Sequence, residues 1–271
     1  MQFGCCVGGG QLFGQSSLQD EKAFVERLQW FANLGFDFLE LGFSWVASLD
    51  EDSYEKLVKA FKTAKMPVWA CNLFIPRDLP IIGPQRDLNA LRAYMSKAFP
   101  RVKALGCKYV VFGSGGARSF PEGYPVLKAW QDMKEFCKVA AEDAKKSGIT
   151  IVLEPLRYQE SDIINTVSTG YAFADAIGHP NFQLLADSYH MEETGEPVEV
   201  LKYTYPAINH VHTADTERVP PGLGSYDHAK LLSTLRDLGY NQGVSIECKW
   251  QNFDAQVPGA ITHLKQTWQS L

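Results

Sequence analysis

The chain has 271 residues, of which 45% are hydrophobic and 21% are charged, a composition typical of a soluble globular protein. Its 26 Lys and Arg against 31 Asp and Glu give a net charge of −5, and no basic run is present, so nucleic acid is disfavoured as a partner. No apolar run reaches the roughly 20 residues of a membrane span, and residues 1–10 lack the features of a signal peptide, so we expect a cytoplasmic protein without a membrane partner.

Eight short apolar runs along the chain predict β-strands. Each is rich in Val, Ile, Leu, Phe or Tyr and is too short for a helix, as expected of strands buried on both faces. The runs are residues 3–7, 38–41, 68–71, 109–112, 151–153, 183–186, 210–212 and 244–246.

Eight stretches with a period of 3.6 residues separate these runs and predict helices. They are residues 20–34, 53–64, 88–105, 126–146, 169–177, 198–203, 227–238 and 254–271. Strands that alternate with helices build a parallel sheet, and eight units of about 34 residues favour one (β/α)8 barrel domain over residues 1–271. An open doubly wound sheet is the alternative, but Gly8 to Gly10 do not complete G-x-G-x-x-G because residue 13 is Phe.

The last four predicted strands each end in a potential metal ligand. Neighbouring strands lie about 4.8 Å apart, so side chains at four successive ends can converge at the carboxyl end of a barrel. One such acid would be explained as a helix cap, but three carboxylates together require a balancing cation. An oxygen-rich set favours Mn²⁺ or Mg²⁺, with Co²⁺ next and Zn²⁺ less suited. The predicted ligands are Glu154, Asp187, His212 and Glu247.

Four short motifs resemble the xylose-isomerase-like sugar isomerase/epimerase superfamily, and within it the ketose 3-epimerases of D-tagatose/D-psicose type. The motifs are Leu-Glu-Pro at 153–155, Ala-Asp-Ser-Tyr-His-Met at 186–191, His-Val-His-Thr at 210–213 and Ser-Ile-Glu at 245–247. The resemblance implies a metal held by the four predicted ligands and substrate contacts from Glu160, His190 and Arg218. The loops 113–118 and 248–250 depart from the characterised epimerases, so the resemblance does not identify the sugar.

These residues support epimerisation of an α-hydroxyketone at C3. A metal that binds the carbonyl and a neighbouring hydroxyl makes the adjacent C–H acidic and stabilises the enediolate. Glu154 and Glu247, on strands five and eight, would remove the proton from one face and return it to the other. Arg218 and His190 would donate hydrogen bonds to substrate oxygens, and Glu160 would accept one from a hydroxyl.

Other features have two readings each. The loop 113–118 is either a turn that needs glycine or a phosphate-binding loop in which Arg118 balances the charge. Phe43, Trp45, Phe74 and Trp250 lie near strand ends and either wall the pocket or pack in the core. We expect His210 to point away from His212 and to be structural.

Three functions compete with a ketose epimerase. The same metal site suits an aldose–ketose or hydroxypyruvate-type isomerase, or an inosose dehydratase. An apurinic-site endonuclease would need more histidines for a multi-zinc cluster, and the chain has six, none before His179. A sugar-binding barrel without catalysis is disfavoured, because two glutamates placed together are energetically costly unless they have a catalytic or metal-binding role. The expected partner is a small sugar, and self-association of the chain is left open.

Overall fold

The computed structural model describes all 271 residues and contains eight strands. Their bounds are β1 Gln2–Val7, β2 Phe38–Gly42, β3 Val68–Asn72, β4 Tyr109–Phe112, β5 Thr150–Leu153, β6 Phe182–Asp187, β7 Ile208–Thr213 and β8 Gly243–Ile246. Every predicted strand is present, and the bounds differ by two residues at most. The short apolar runs were sufficient to place the strands because both faces of each strand are buried.

Eleven α-helices accompany the strands. They are α1 Gly9–Phe13, α2 Glu21–Leu34, α3 Phe43–Ser48, α4 Glu51–Ala64, α5 Leu88–Ala104, α6 Val126–Lys146, α7 Val167–Ile177, α8 Ser188–Thr194, α9 Leu201–Thr204, α10 His228–Asp237 and α11 Phe253–Ser270. The stretch predicted at 198–203 forms a 3₁₀ turn, Val198–Val200, followed by α9. The sequence did not predict α1, α3 and α8, because a helix of five to seven residues is too short to show a 3.6-residue period.

The strands form a closed barrel in the order β1 to β8, with every neighbouring pair parallel. The (β/α)8 prediction is confirmed, and the open doubly wound alternative is excluded because β1 pairs with β8. In a closed parallel barrel all eight carboxyl ends meet at one face, where functional residues are expected. No helix is both long and apolar enough to cross a membrane.

The barrel interior is layered. Phe38, Trp69, Tyr109 and Leu185 belong to a small apolar cluster that closes the amino end of the barrel. A side chain on Gly4 would collide with the Phe38 ring, 2.1 Å from a built Cβ, so glycine is required at this position. Above this apolar layer the interior becomes polar. A larger cluster of 67 buried residues packs the outer faces of the strands against the helices.

Candidate metal centre and active site

The four predicted ligands converge at the carboxyl end of the barrel. One nitrogen or oxygen atom from each lies within 4.8 Å of the corresponding atoms of the others. His212 Nδ1 lies 3.1 Å from Glu154 Oε1 and 3.4 Å from Glu247 Oε2. The cluster comprises Glu154, Asp187, His212 and Glu247.

Local structure orients Asp187 within this cluster. It is the last residue of β6 and the N-cap of α8, where its Oδ1 accepts the backbone N–H of Tyr189 at 2.8 Å. Its other oxygen, Oδ2, is buried and has no hydrogen-bond partner. A buried carboxylate oxygen without a partner is costly, and a bound cation would remove this cost.

The charges of the cluster also fit a cation. Burial raises the pKa of Glu154, and burial together with the charge of Glu247 raises the pKa of Asp187 to about 6. Burial disfavours ionisation of Glu247 too, but His212 and Arg218 lower its pKa overall. Carboxylates that repel one another in this way are ionised together most easily beside a divalent cation.

Glu40 lies directly beneath the cluster and was not identified from the sequence. It is fully buried, and its carboxylate contacts His212 Nε2 at 3.0 Å, His210 Nε2 at 2.9 Å and Ser245 Oγ at 2.9 Å. A proton on His212 Nε2 that is donated to Glu40 leaves the Nδ1 lone pair facing Glu154 and Glu247. The alternation of side chains along β2 could have identified Glu40 as an interior residue, because Phe38 and Glu40 are two residues apart and share the interior face.

The expectation for His210 was wrong in its geometry. Side chains two residues apart on a strand share a face, so His210 points into the barrel as His212 does. Its ring lies 5.2 Å from that of His212 and 6.0 Å from that of Tyr109. The role of His210 is structural, because its ring contacts Glu40 and does not belong to the four-residue cluster.

The three predicted substrate contacts line the cavity beside the cluster. Arg218 Nη2 donates to Glu247 Oε2 at 2.7 Å, and Nη1 lies 3.6 Å from Glu160 Oε1. His190 Nδ1 accepts the Arg157 backbone N–H at 3.3 Å, which directs Nε2 toward Asp187 Oδ2 at 3.7 Å. The structure therefore brings all three toward the carboxylates.

Two supporting residues were missed by the sequence analysis. The Arg157 side chain donates to Glu160 Oε1 at 2.8 Å and thereby orients it. Asp215 accepts the backbone N–H groups of Gly222 and Tyr226 at 2.9 and 2.7 Å, which anchors the loop that carries Arg218. Arg218 itself has a φ of 63°, a left-handed conformation that costs energy for a residue with a side chain.

The loop 113–118 is not built as a phosphate site around Arg118. Arg118 is fully buried and donates to the Glu154 backbone carbonyl at 2.9 Å and to Ser161 Oγ at 3.1 Å. A Cβ on Gly113 would lie 2.3 Å from Glu154 Oε2, so this glycine permits the close approach of the loop to the cluster. The loop and Arg118 thus support the position of Glu154.

The four aromatic residues near the strand ends divide into two pairs. Phe43 and Phe74 are fully buried and pack together with ring centroids 5.1 Å apart, so they belong to the core. Trp45 and Trp250 are half-buried and line a cavity at the barrel mouth. Only the tryptophans are therefore available to a ligand.

The sequence and the fold are similar to those of known sugar epimerases and isomerases. The model of a family described as xylose isomerase-like TIM barrel matches residues 28–267. D-psicose 3-epimerase of Agrobacterium fabrum is 27% identical over 237 residues, 83% of this chain and 78% of the relative. Inosose isomerase of Bacillus velezensis is 25% identical over 260 residues, 87% and 86% of the two chains. The structure of D-psicose 3-epimerase with D-tagatose from Clostridium cellulolyticum H10 has a TM-score of 0.82 at 19% identity, over 99% of each chain, which shows a shared fold.

Proposed function

The chain belongs to the xylose isomerase-like TIM barrel family, and from this premise we propose that it is a metal-dependent enzyme that epimerises a ketose at C3. The observation that carries the proposal is the pair of carboxylates, Glu154 and Glu247, that both approach His212 Nδ1, at 3.1 and 3.4 Å. The relative named D-psicose 3-epimerase supports this choice of reaction.

A divalent cation fits the four-residue cluster, with Mn²⁺ as our first choice and Mg²⁺ or Co²⁺ as alternatives. Three ligands supply carboxylate oxygens, His212 supplies an imidazole nitrogen, and Asp187 Oδ2 is buried without any other partner. When bound, such a cation polarises a substrate carbonyl and makes the adjacent C–H more acidic. The metal centre is thus assigned to Glu154, Asp187, His212 and Glu247.

Two glutamates on opposite sides of one substrate carbon can exchange its proton between faces. One glutamate removes the C3 proton, and the other, in its protonated form, returns a proton to the opposite face. Burial raises the pKa of Glu154, whereas His212 and Arg218 lower that of Glu247, so the pKa values of the two carboxyls are shifted in opposite directions. This difference suits an acid and a base that work as a pair.

Arg218, His190 and Glu160 would bind and orient the substrate. Arg218 carries a permanent charge beside Glu247 and can donate to the oxygen on which negative charge develops. The His190 Nε2–H is directed into the same space by the hydrogen bond at Nδ1. Glu160, held by Arg157, can accept from a substrate hydroxyl.

The second candidate is an isomerase on the same metal centre. The relative named inosose isomerase aligns over 87% of this chain and favours this candidate. One experiment separates the two: metal-loaded protein is incubated with a panel of ketoses and inososes in D₂O, and deuterium is located by NMR. Deuterium at C3 of a ketose supports the epimerase, whereas deuterium at C1, or in an inosose alone, supports an isomerase.

Replacement of Arg218 or His190 by Ala is expected to lower kcat/KM by about 10²-fold while bound metal is unchanged. The reason is that each side chain donates to the substrate rather than ligating the cation. Steady-state kinetics and metal analysis check this result. Arg86→Ala is the matched control, since Arg86 also pairs with a glutamate but does not line the cavity. Unaltered turnover in both site variants would show that they are structural.

Replacement of Glu40 by Gln is expected to weaken metal binding by about 10- to 100-fold, the usual effect of losing a partner behind a metal-binding histidine. The amide keeps the volume but lacks the charge that makes His212 a better ligand. Competition with a fluorescent chelator measures the change. Asp132→Asn is the control, because Asp132 is also a buried carboxylate with hydrogen-bond donors, on α6. Equal metal affinity in wild type and E40Q would contradict the role given to Glu40.

A further inference from the structure

The barrel mouth holds two adjoining cavities. The first, of about 340 Å³, contains Glu154, Arg218 and the other predicted substrate contacts. The second, of about 310 Å³, opens over the ends of β8, β1 and β2 and is not used by the mechanism above. Asn72, Leu73 and Glu247 line both cavities. The two spaces therefore meet beside one of the two proposed catalytic glutamates.

Two tryptophans wall the second cavity and are held in place by other aromatic rings. Trp45 packs edge-on against Phe13 at 6.0 Å, and Trp250 packs edge-on against Phe253 at 5.0 Å. Indole rings fixed in this way offer large, pre-ordered apolar surfaces with a polar edge. Such surfaces suit the C–H face of a sugar ring, which is also part apolar and part polar.

The remaining lining of the second cavity indicates a neutral, hydroxyl-bearing occupant. It contains no Lys or Arg, and Glu247 is its only charged residue, so an anionic group such as a phosphate would find no counter-charge there. Gln11 and Asn72 supply amide groups able to bind hydroxyls.

The sizes and positions of the two cavities indicate a substrate with two sugar units. Each cavity lies near the lower end of the roughly 300–1,000 Å³ range of small-molecule sites, which suits one sugar unit apiece. A reacting carbon at Glu247 has space on both sides, because that residue lines both cavities. We propose that the cavity walled by Trp45 and Trp250 binds the ring of a glycosyl group attached to the ketose, so that the preferred substrate is a glycosylated ketose. This inference rests on the proposed function and extends it.

The test compares a free ketose with the same ketose carrying a glucosyl group at O4 or O6, using the metal-loaded protein and NMR detection of solvent deuterium. We expect wild type to show a kcat/KM at least about tenfold higher for the glucosyl ketose. Trp45→Ala and Trp250→Ala should each raise KM for that substrate about tenfold, with little change in kcat and less than twofold change for the free ketose. Trp45→Phe, which keeps a ring, should give an intermediate KM.

Trp130→Ala is the control, because Trp130 packs against Phe173 on the outer helices and does not line either cavity. It should leave both substrates unaffected. Equal kcat/KM for the two substrates, or Trp variants that impair both equally, would overturn the glycosyl site between Trp45 and Trp250 while leaving the epimerase proposal intact. Exchange with neither substrate, or with an inosose alone, would overturn the proposed function and the inference together.

Discussion

Substitution of either Glu154 or Glu247 by Gln is expected to reduce net epimerisation by about 10²- to 10⁴-fold, the usual contribution of a general acid or base. Gln preserves the size and one ligating oxygen, but it cannot accept or return the substrate proton. One of the two variants should still exchange the C3 hydrogen with solvent, since one working base remains. Deuterium incorporation into recovered substrate and into product, measured by NMR in D₂O, separates exchange from inversion.

Glu135→Gln provides the matched control for these variants. Glu135 also pairs with an arginine, Arg86, but on the outer surface of the barrel, so its loss should not affect turnover. The paired-glutamate mechanism requires that hydrogen pass through solvent-exchangeable groups. Wild-type turnover with no solvent deuterium in the product would therefore contradict it and favour an isomerase that shifts hydride directly.

The second large effect concerns the metal. Asp187→Asn and His212→Ala are each expected to lose the bound cation and nearly all activity while the barrel remains folded, because residues at this face serve function rather than core packing. Asn can still cap α8 through its side-chain oxygen, so D187N isolates the loss of a charged ligand. Metal analysis and thermal melts measure the two properties separately. Chelation of the wild type should abolish activity, and Mn²⁺, Mg²⁺ or Co²⁺ should restore it.

Metal affinity should also fall as the pH is lowered toward and below about 6. The raised pKa of Asp187 means that this carboxyl takes up a proton, and ceases to ligate, at a higher pH than an ordinary aspartate.

His228→Ala is the control for H212A, because His228 is also buried but lies at the start of α10. Stoichiometric metal in both ligand variants, or full activity in a metal-free preparation, would refute the assignment.

Most of the architecture could be predicted because the signals for it are local. A doubly buried strand appears as a short apolar run, and a helix on the barrel surface appears as a 3.6-residue period. The same reasoning identified the four residues at the strand ends as candidate metal ligands, since each directly follows or ends an apolar run. It did not identify α1, α3 and α8, whose lengths are five to seven residues.

Contacts between strands far apart in the chain could not be predicted from the sequence. Glu40 is on β2 and His212 is on β7, 172 residues apart, and only closure of the barrel brings them within 3.0 Å. The sequence likewise left open whether Arg118 binds a phosphate, and only the structure shows that its side chain turns inward to the Glu154 backbone. The direction of a long side chain at a turn depends on what packs around it rather than on its neighbours in the chain.

The eightfold strand–helix alternation and the residue types at the strand ends follow from the order of the amino acids, because hydrophobic pattern and residue type are local properties of the chain. Folding alone establishes which of those groups meet, that Glu40 contacts His212 from below, and that Trp45 and Trp250 line a second cavity. A hydrogen bond or a cavity depends on distances of a few ångströms between segments far apart in sequence, and these distances exist only after β1 and β8 have paired.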